Sequence, residues 1–166
     1  ATGLTASIVH LFNHGVTKGA IFMLLGIVVA SVGGATLARV HGLGRLMPWT
    51  SAGIVLAGLS LIGVPGTAGF VSKWYLILAA LEKGQWWLVF LIVGSSLLAA
   101  AYVWRFVEAA YFREPRRDTA GGATVPWSMA LPAAMLVAAT VYFGLDTSFT
   151  VGSAAQAAAG LLGGPR

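Results

Sequence analysis

The chain has 166 residues, 58% of them hydrophobic and 9% charged, with a formal net charge of +5 and a mean hydropathy of +0.85. Soluble domains carry about 25% charged residues, so there is too little charge here to cover a water-facing surface, and the chain reads as an integral membrane protein. The basic excess then belongs to loops that orient the spans, and no nucleic-acid partner is expected.

The length accommodates four or five spans of about 20 residues each. There is no initiator methionine, and Ala1 leads directly into an apolar helical pattern, so the chain is expected to be the later part of a longer subunit. The first apolar segment runs from about Leu4 to Gly33 and predicts one long helix. A basic loop, "ARVHGLGRLMPW", follows with Arg39, His41 and Arg45 and no acid. A second apolar segment covers Thr50 to Val64, is interrupted by "PGTAG", and resumes from Phe70 to Leu81. After a turn at Glu82 to Gln85, a third segment runs from Trp86 to about Phe112. The loop "REPRRDTAGGATVP" carries Arg113, Arg116 and Arg117, which read as topology signals and lipid-headgroup contacts. A last span is expected from Trp127 to about Phe149. Residues 1–150 are thus read as the membrane bundle and residues 151–166 as an Ala/Gly-rich tail, either a surface helix or disordered.

The interrupted middle segment admits two topologies. As two separate crossings, each piece would have only about 15 residues, roughly 22 Å of helix against a hydrocarbon core of about 30 Å. That arrangement also puts the two basic loops on opposite sides. As one broken helix crossing once, both loops fall on one side, as the positive-inside rule requires. The expected architecture is therefore all-α: a polytopic transmembrane bundle of about four spans, one discontinuous, with loops 39–47 and 113–117 cytoplasmic. Trp49, Trp86, Trp87 and Trp127 lie at span ends, where indole rings favour the interface.

Several polar groups lie inside these spans. His10, His14 and Lys18 recur every four residues, so each drifts only about 40° around the helix and all three share one stripe. Asn13 and Thr17 flank it. Ionisable residues within a span are costly and face a bundle interior or a water-filled path; histidine titrates near neutral pH, and an ordered row of this kind suits a proton relay. A single membrane histidine is more often a packing hydrogen-bonder, but three aligned groups including a lysine favour function. A metal at the HxxxH pair is not expected, because zinc needs three or four ligands and no cysteine or acid accompanies the pair. Gly15 and Gly19 read as helix-packing positions.

At the interruption, Pro65 lacks a donor and Gly66 and Gly69 permit unusual backbone angles. Freed backbone groups in a membrane must be satisfied by protein or water, and Thr67 and Ser72 can supply part of this. Lys73 falls in the first turn after the break, beside the positive end of the second half-helix. That end is unfavourable for a cation, which makes Lys73 a candidate proton carrier; snorkelling to an interface is the alternative. Arg105 and Glu108, three apart, are within reach as an intrahelical pair, serving either an interfacial salt bridge or transport.

"HLFNHGVTKGAIFMLLG" followed by "LSLIGVPGTAGFVSKWYLI" resembles the antiporter-like membrane subunits shared by respiratory complex I and the Mrp-type cation/proton antiporters. The H-x₃-H-x₃-K helix and the G-x-P-x-x-x-G-F-x-x-K break occur in the family's order, and the resemblance covers about residues 3 to 112. It implies the C-terminal part of a subunit built on inverted repeats of five helices. The family's motif lysine then corresponds to Lys18, its histidines to His10 and His14, and the ionisable residue after the break to Lys73. Some members carry glutamate at that last position, and the lysine here looks closest to D-type Mrp or N-type complex I subunits. The family's first repeat, with its glutamate–lysine pair, is not within this sequence.

The resemblance implies protons passed along His10, His14, Lys18 and Lys73, with sodium or potassium as the exchanged cation in an Mrp-type complex. In a complex I setting the same residues would pump protons. Partners would be other membrane subunits and the lipid bilayer, in a bacterial cytoplasmic membrane. No cofactor is expected, since no motif for NADH, flavin or an iron–sulfur cluster occurs, and no catalytic residue is assigned. Competing classes are a non-conducting scaffold subunit and an intramembrane metalloenzyme using HxxxH.

Overall fold

A computed structural model describes residues 2–115 and 125–163, and every description of the fold refers to these. Helix α1 spans Thr2–Val32 and is 31 residues long, about 46 Å at 1.5 Å per residue. A one-turn helix, α2 (Leu43–Leu46), leads into α3 (Pro48–Ile62), and α4 (Ala68–Glu82) follows the interruption. Then come α5 (Trp86–Val107), a π-helical turn (Glu108–Phe112), α6 (Trp127–Leu145) and α7 (Ser148–Leu161). Among the described residues, α1, α5 with its π turn, and α6 are long and apolar enough to cross a membrane.

Helices α3 and α4 make the fourth crossing together. Along α1, Leu24 packs on Gly53, Thr17 bonds Ser60, Asn13 bonds Ala68 and His10 bonds Ser72. As α1 is followed backwards its partners advance steadily through the interruption, so α3 and α4 run end to end, antiparallel to α1. Each has 15 residues, about 22 Å, too short alone for a core of about 30 Å. Helix α6 packs antiparallel to α1, Leu136 over Gly19 and Met129 over Gly26, while Gly15 faces open space.

The two basic loops meet at one end of the bundle, where Gly42 packs against Pro115 and the Gly42 N–H donates to the Ala109 carbonyl of the π turn at 3.0 Å. Arg39 Nη1 there donates to Val32 O at 2.9 Å, capping α1, the end where a cation is favoured. Trp49 and Trp127 stand at this end, 90% and 86% exposed, and Trp86 and Trp87 are exposed at the other. Arg116 and Arg117 lie outside the described residues.

The core has two apolar parts. The larger, near the basic loops, holds Leu24, Ile27, Val28, Leu43, Ile54 and Ala110 among others. The smaller packs Val9 and Val71 against Ala154. Between them, at the level of the interruption, lies a buried polar layer of Asn13, Thr17, Ser60, Thr67 and Ser72.

The last span stops at Leu145 rather than continuing to Phe149. Asp146 ends it by accepting the Ser148 N–H at 3.0 Å and the Ser148 hydroxyl at 2.6 Å, which turns the chain into α7. The Ala/Gly-rich segment from Ser148 to Leu161 is that helix, with Ala154 and Ala158 buried.

Candidate functional site

The interruption is a joint in which each half-helix satisfies the broken end of the other. Helix α3 ends at Gly63, which has φ +95°, and Gly66 follows with φ +86°; an L side chain is strained in this left-handed region. The end of α3 leaves carbonyls without helical donors. Lys73, from α4, fills two of these: its Nζ donates to Leu61 O at 2.8 Å and Ile62 O at 3.1 Å. In return Ser60, from α3, accepts the free Gly69 N–H of α4's first turn at 3.0 Å. Thr67 Oγ1 donates to Val64 O at 2.7 Å within the joint. Ser72 donates back to Gly69 O at 3.1 Å in its own helix, its oxygen also facing His10.

Lys73 therefore differs from its sequence-based placement. Its backbone is the sixth residue of α4, past the first turn, and the side chain reaches back across the break, putting the ammonium at the carbonyl end of α3, where helix dipoles favour a cation. A third acceptor, Ser96 Oγ on α5 at 2.7 Å, completes the set. All three N–H donors of the ammonium are thus engaged, and the snorkelling alternative does not apply. Gly69 likewise has a different task from the expected one. It is helical, and its need is for space, because a Cβ there would run into the Ser60 carbonyl oxygen.

The histidines of α1 converge on this joint. His10 Nδ1 lies 3.1 Å from Ser72 Oγ, and the His10 and His14 rings stack with centroids 5.4 Å apart. His10, His14 and Lys73 line one small cavity of ≈ 10 Å³, together with Thr17, Ser60 and Ser72; a single water needs about 10–15 Å³ measured this way. Thr17 Oγ1 and Ser60 Oγ are 3.0 Å apart on its wall. Asn13 is fully buried and donates to Ala68 O at 2.9 Å, bracing α1 against the start of α4. Lys18 stands apart from the cavity, with its Nζ 6.0 Å from the centre of the Phe22 ring.

Arg105 and Glu108 lie elsewhere, at the basic-loop end. Glu108 pairs with Arg113 at 2.6 Å and not with Arg105. The π turn explains this, since its i→i+5 hydrogen bonding widens the helix and brings residue 113 around to residue 108. Among the described residues no three His, Asp or Glu side chains gather as a metal-ligand set.

The functional residues that sequence reasoning missed are Gly63, Ser60 and Ser96. Ser96 carried a signal, one of two adjacent serines in an otherwise apolar span; Ser60 and Gly63 were masked by the proline and glycines after them.

The helix break and the histidine stripe that faces it both fall within residues 1–99, which match the family described as NADH:quinone oxidoreductase/Mrp antiporter, TM. The chain belongs to this antiporter-like membrane family. It is 39% identical over 140 residues to the N subunit of an NADH-quinone oxidoreductase from Desulforudis audaxviator, covering 81% of this chain and 28% of that one. It is also 30% identical over 159 residues to the D-type subunit of a Na(+)/H(+) antiporter from Bacillus subtilis, covering 96% and 32%. The fold is similar to a chain in the Mrp complex from Dietzia sp., with a TM-score of 0.84 at 25% identity, covering 94% of this chain and 37% of that one. This antiporter-like chain spans about a third of the length of these proteins.

Proposed function

We propose that this chain forms part of a proton-translocating membrane subunit of a multisubunit Mrp-type cation/proton antiporter. The observation that carries the reading is the cavity shared by His10, His14 and Lys73. Side chains that exchange protons and lie around the space of one water can pass a proton through it, with the hydroxyls of Ser72, Thr17 and Ser60 in reach as relays. His10 is the entry to Lys73, through Ser72 or the cavity. Lys18, two turns further along α1, would take the proton onward. Release of a proton from Lys73 removes one of three donors, so the end of α3 loosens when the charge leaves. This couples proton transfer to movement at the joint. The exchanged cation would be sodium or potassium, and the partners other membrane subunits. The membrane would be the bacterial cytoplasmic one, with both basic loops inside.

The test uses Lys73→Arg and Lys18→Ala in the assembled complex, reading proton transport with a pH-sensitive dye in vesicles. Arginine keeps the charge but does not deprotonate in proteins. Transport should fall at least about tenfold in each variant, with assembly intact; wild-type rates in both would remove the proposal. A second reading, a non-conducting scaffold, is favoured by the three satisfied donors of Lys73, and predicts wild-type transport in Lys73→Arg. A third places the chain in a complex I-type enzyme, as the Desulforudis relative's name has it. There proton movement would follow quinone reduction and not a cation gradient.

A further inference from the structure

A second cavity lies at the basic-loop end, remote from the joint. It has a volume of ≈ 300 Å³ and is lined by Leu37, His41, Arg105, Glu108, Ala109 and Arg113. The Gly42–Ala109 hydrogen bond pins the loop that carries His41 to the start of the π turn. That turn swings Arg113 back beside Glu108 at 2.6 Å, both side chains partly open to the outside. Glu108 neutralises one arginine only. Among the described residues, neither the Arg105 guanidinium nor the His41 ring has a hydrogen bond or ion pair, so the lining keeps an uncompensated positive charge with donors to spare.

We propose that this cavity binds the phosphate headgroup of an anionic phospholipid. A guanidinium fork matches the oxygens of a phosphate in bidentate fashion, and His41, from the loop after α1, lines the same cavity and supplies a further donor. The depth is that of the headgroups, because the exposed Trp49 and Trp127 mark the membrane interface at this same end. Leu37 and Ala109 give the first acyl carbons an apolar wall. Basic pockets between membrane helices near such an interface take anionic headgroups, and a volume of about 300 Å³ suits a small polar group. The ligand would clamp the loop after α1 to the end of α5.

The complex containing the full-length subunit is reconstituted in nanodiscs of phosphatidylcholine mixed with phosphatidylglycerol, and retained lipid is measured by native mass spectrometry. The wild type should retain phosphatidylglycerol in preference to phosphatidylcholine. Arg105→Gln, which leaves the Glu108–Arg113 pair in place, should lower that retention about fivefold, the worth of one basic side chain near an anionic surface. Arg105→Lys should keep part of it, and Lys83→Gln, at the opposite end, all of it. Equal retention in the wild type and Arg105→Gln would overturn the site. Displacement of the lipid by millimolar inorganic phosphate would identify a free-anion site instead. Protection of Arg105 from phenylglyoxal by a partner subunit, with no lipid bound, would identify an acidic protein contact and overturn the lipid.

Discussion

Replacing Gly69 by alanine probes the joint at its tightest point. The added Cβ would overlap the Ser60 carbonyl oxygen and stand 3.0 Å from Ser60 Oγ. The obstacle is backbone, so α3 and α4 have to part, by at least about 1.5 Å to regain an ordinary contact of about 3.5 Å. Overpacking of this kind costs about 1–3 kcal/mol. Parting also breaks the Gly69 N–H bond to Ser60, now 3.0 Å, leaving a half-buried donor unpaired at about 1–3 kcal/mol. Alanine returns up to about 1 kcal/mol as the better helix former, so with both costs near the middle of their ranges, about 2 kcal/mol each, the net loss is about 3 kcal/mol. At about 2–4 °C per kcal/mol, the apparent Tm should fall by about 6–12 °C. The assay is tryptophan-monitored melting of the purified complex in detergent, with Gly94→Ala as control. Nothing lies within 4 Å of a Cβ at Gly94, so that variant should melt at or slightly above the wild type. If Gly69→Ala melts with Gly94→Ala, the close approach of the half-helices does not hold the joint together.

Ser96→Ala removes one acceptor of the Lys73 ammonium, 2.7 Å away, and leaves the α3 carbonyls in place. A stability loss of about 1.5–3 kcal/mol is expected, and the same melting assay reads it. Asp146 sets a pH limit on the α6–α7 corner. The Ser148 hydroxyl, and then the Ser148 N–H, hold its carboxyl below the ordinary carboxylate value. A depressed folded pKa lends stability that is complete above the unfolded value of about 3.9 and is lost as pH falls through the folded one. Protease resistance of the corner should therefore persist from neutral pH to about pH 4 and drop only below it, and Asp146→Asn should abolish that acid step.

Much of the architecture was legible because length and charge act on the whole chain. A 15-residue apolar piece cannot span a bilayer, whatever it packs against, so the broken single crossing followed from arithmetic. The meeting of the basic loops at Gly42 and Pro115 agrees with the charge argument. The stripe of His10 and His14 was legible because helical spacing fixes direction. What the chain's order could not convey was reach. Lys73 was assigned to the dipole of its own helix, because its neighbours in sequence belong to α4; its long side chain answers to the end of α3. Glu108 was paired by α-helical spacing, and the π turn changed the spacing. The close approach at Gly69 depends on how tightly α3 folds back on α4, which no local pattern records.

The order in which the parts of the joint are made has a consequence for biogenesis. Lys73 finds Leu61 and Ile62 behind it in the chain, but its third acceptor, Ser96, lies 23 residues ahead. A lysine at the centre of an inserting segment costs about 2.5–3.5 kcal/mol, and when α4 leaves the ribosome only part of that is offset. Helices α3 and α4 therefore settle into lipid fully only once α5 arrives. A chain ending before Ser96 should therefore insert α4 less efficiently than one that includes it.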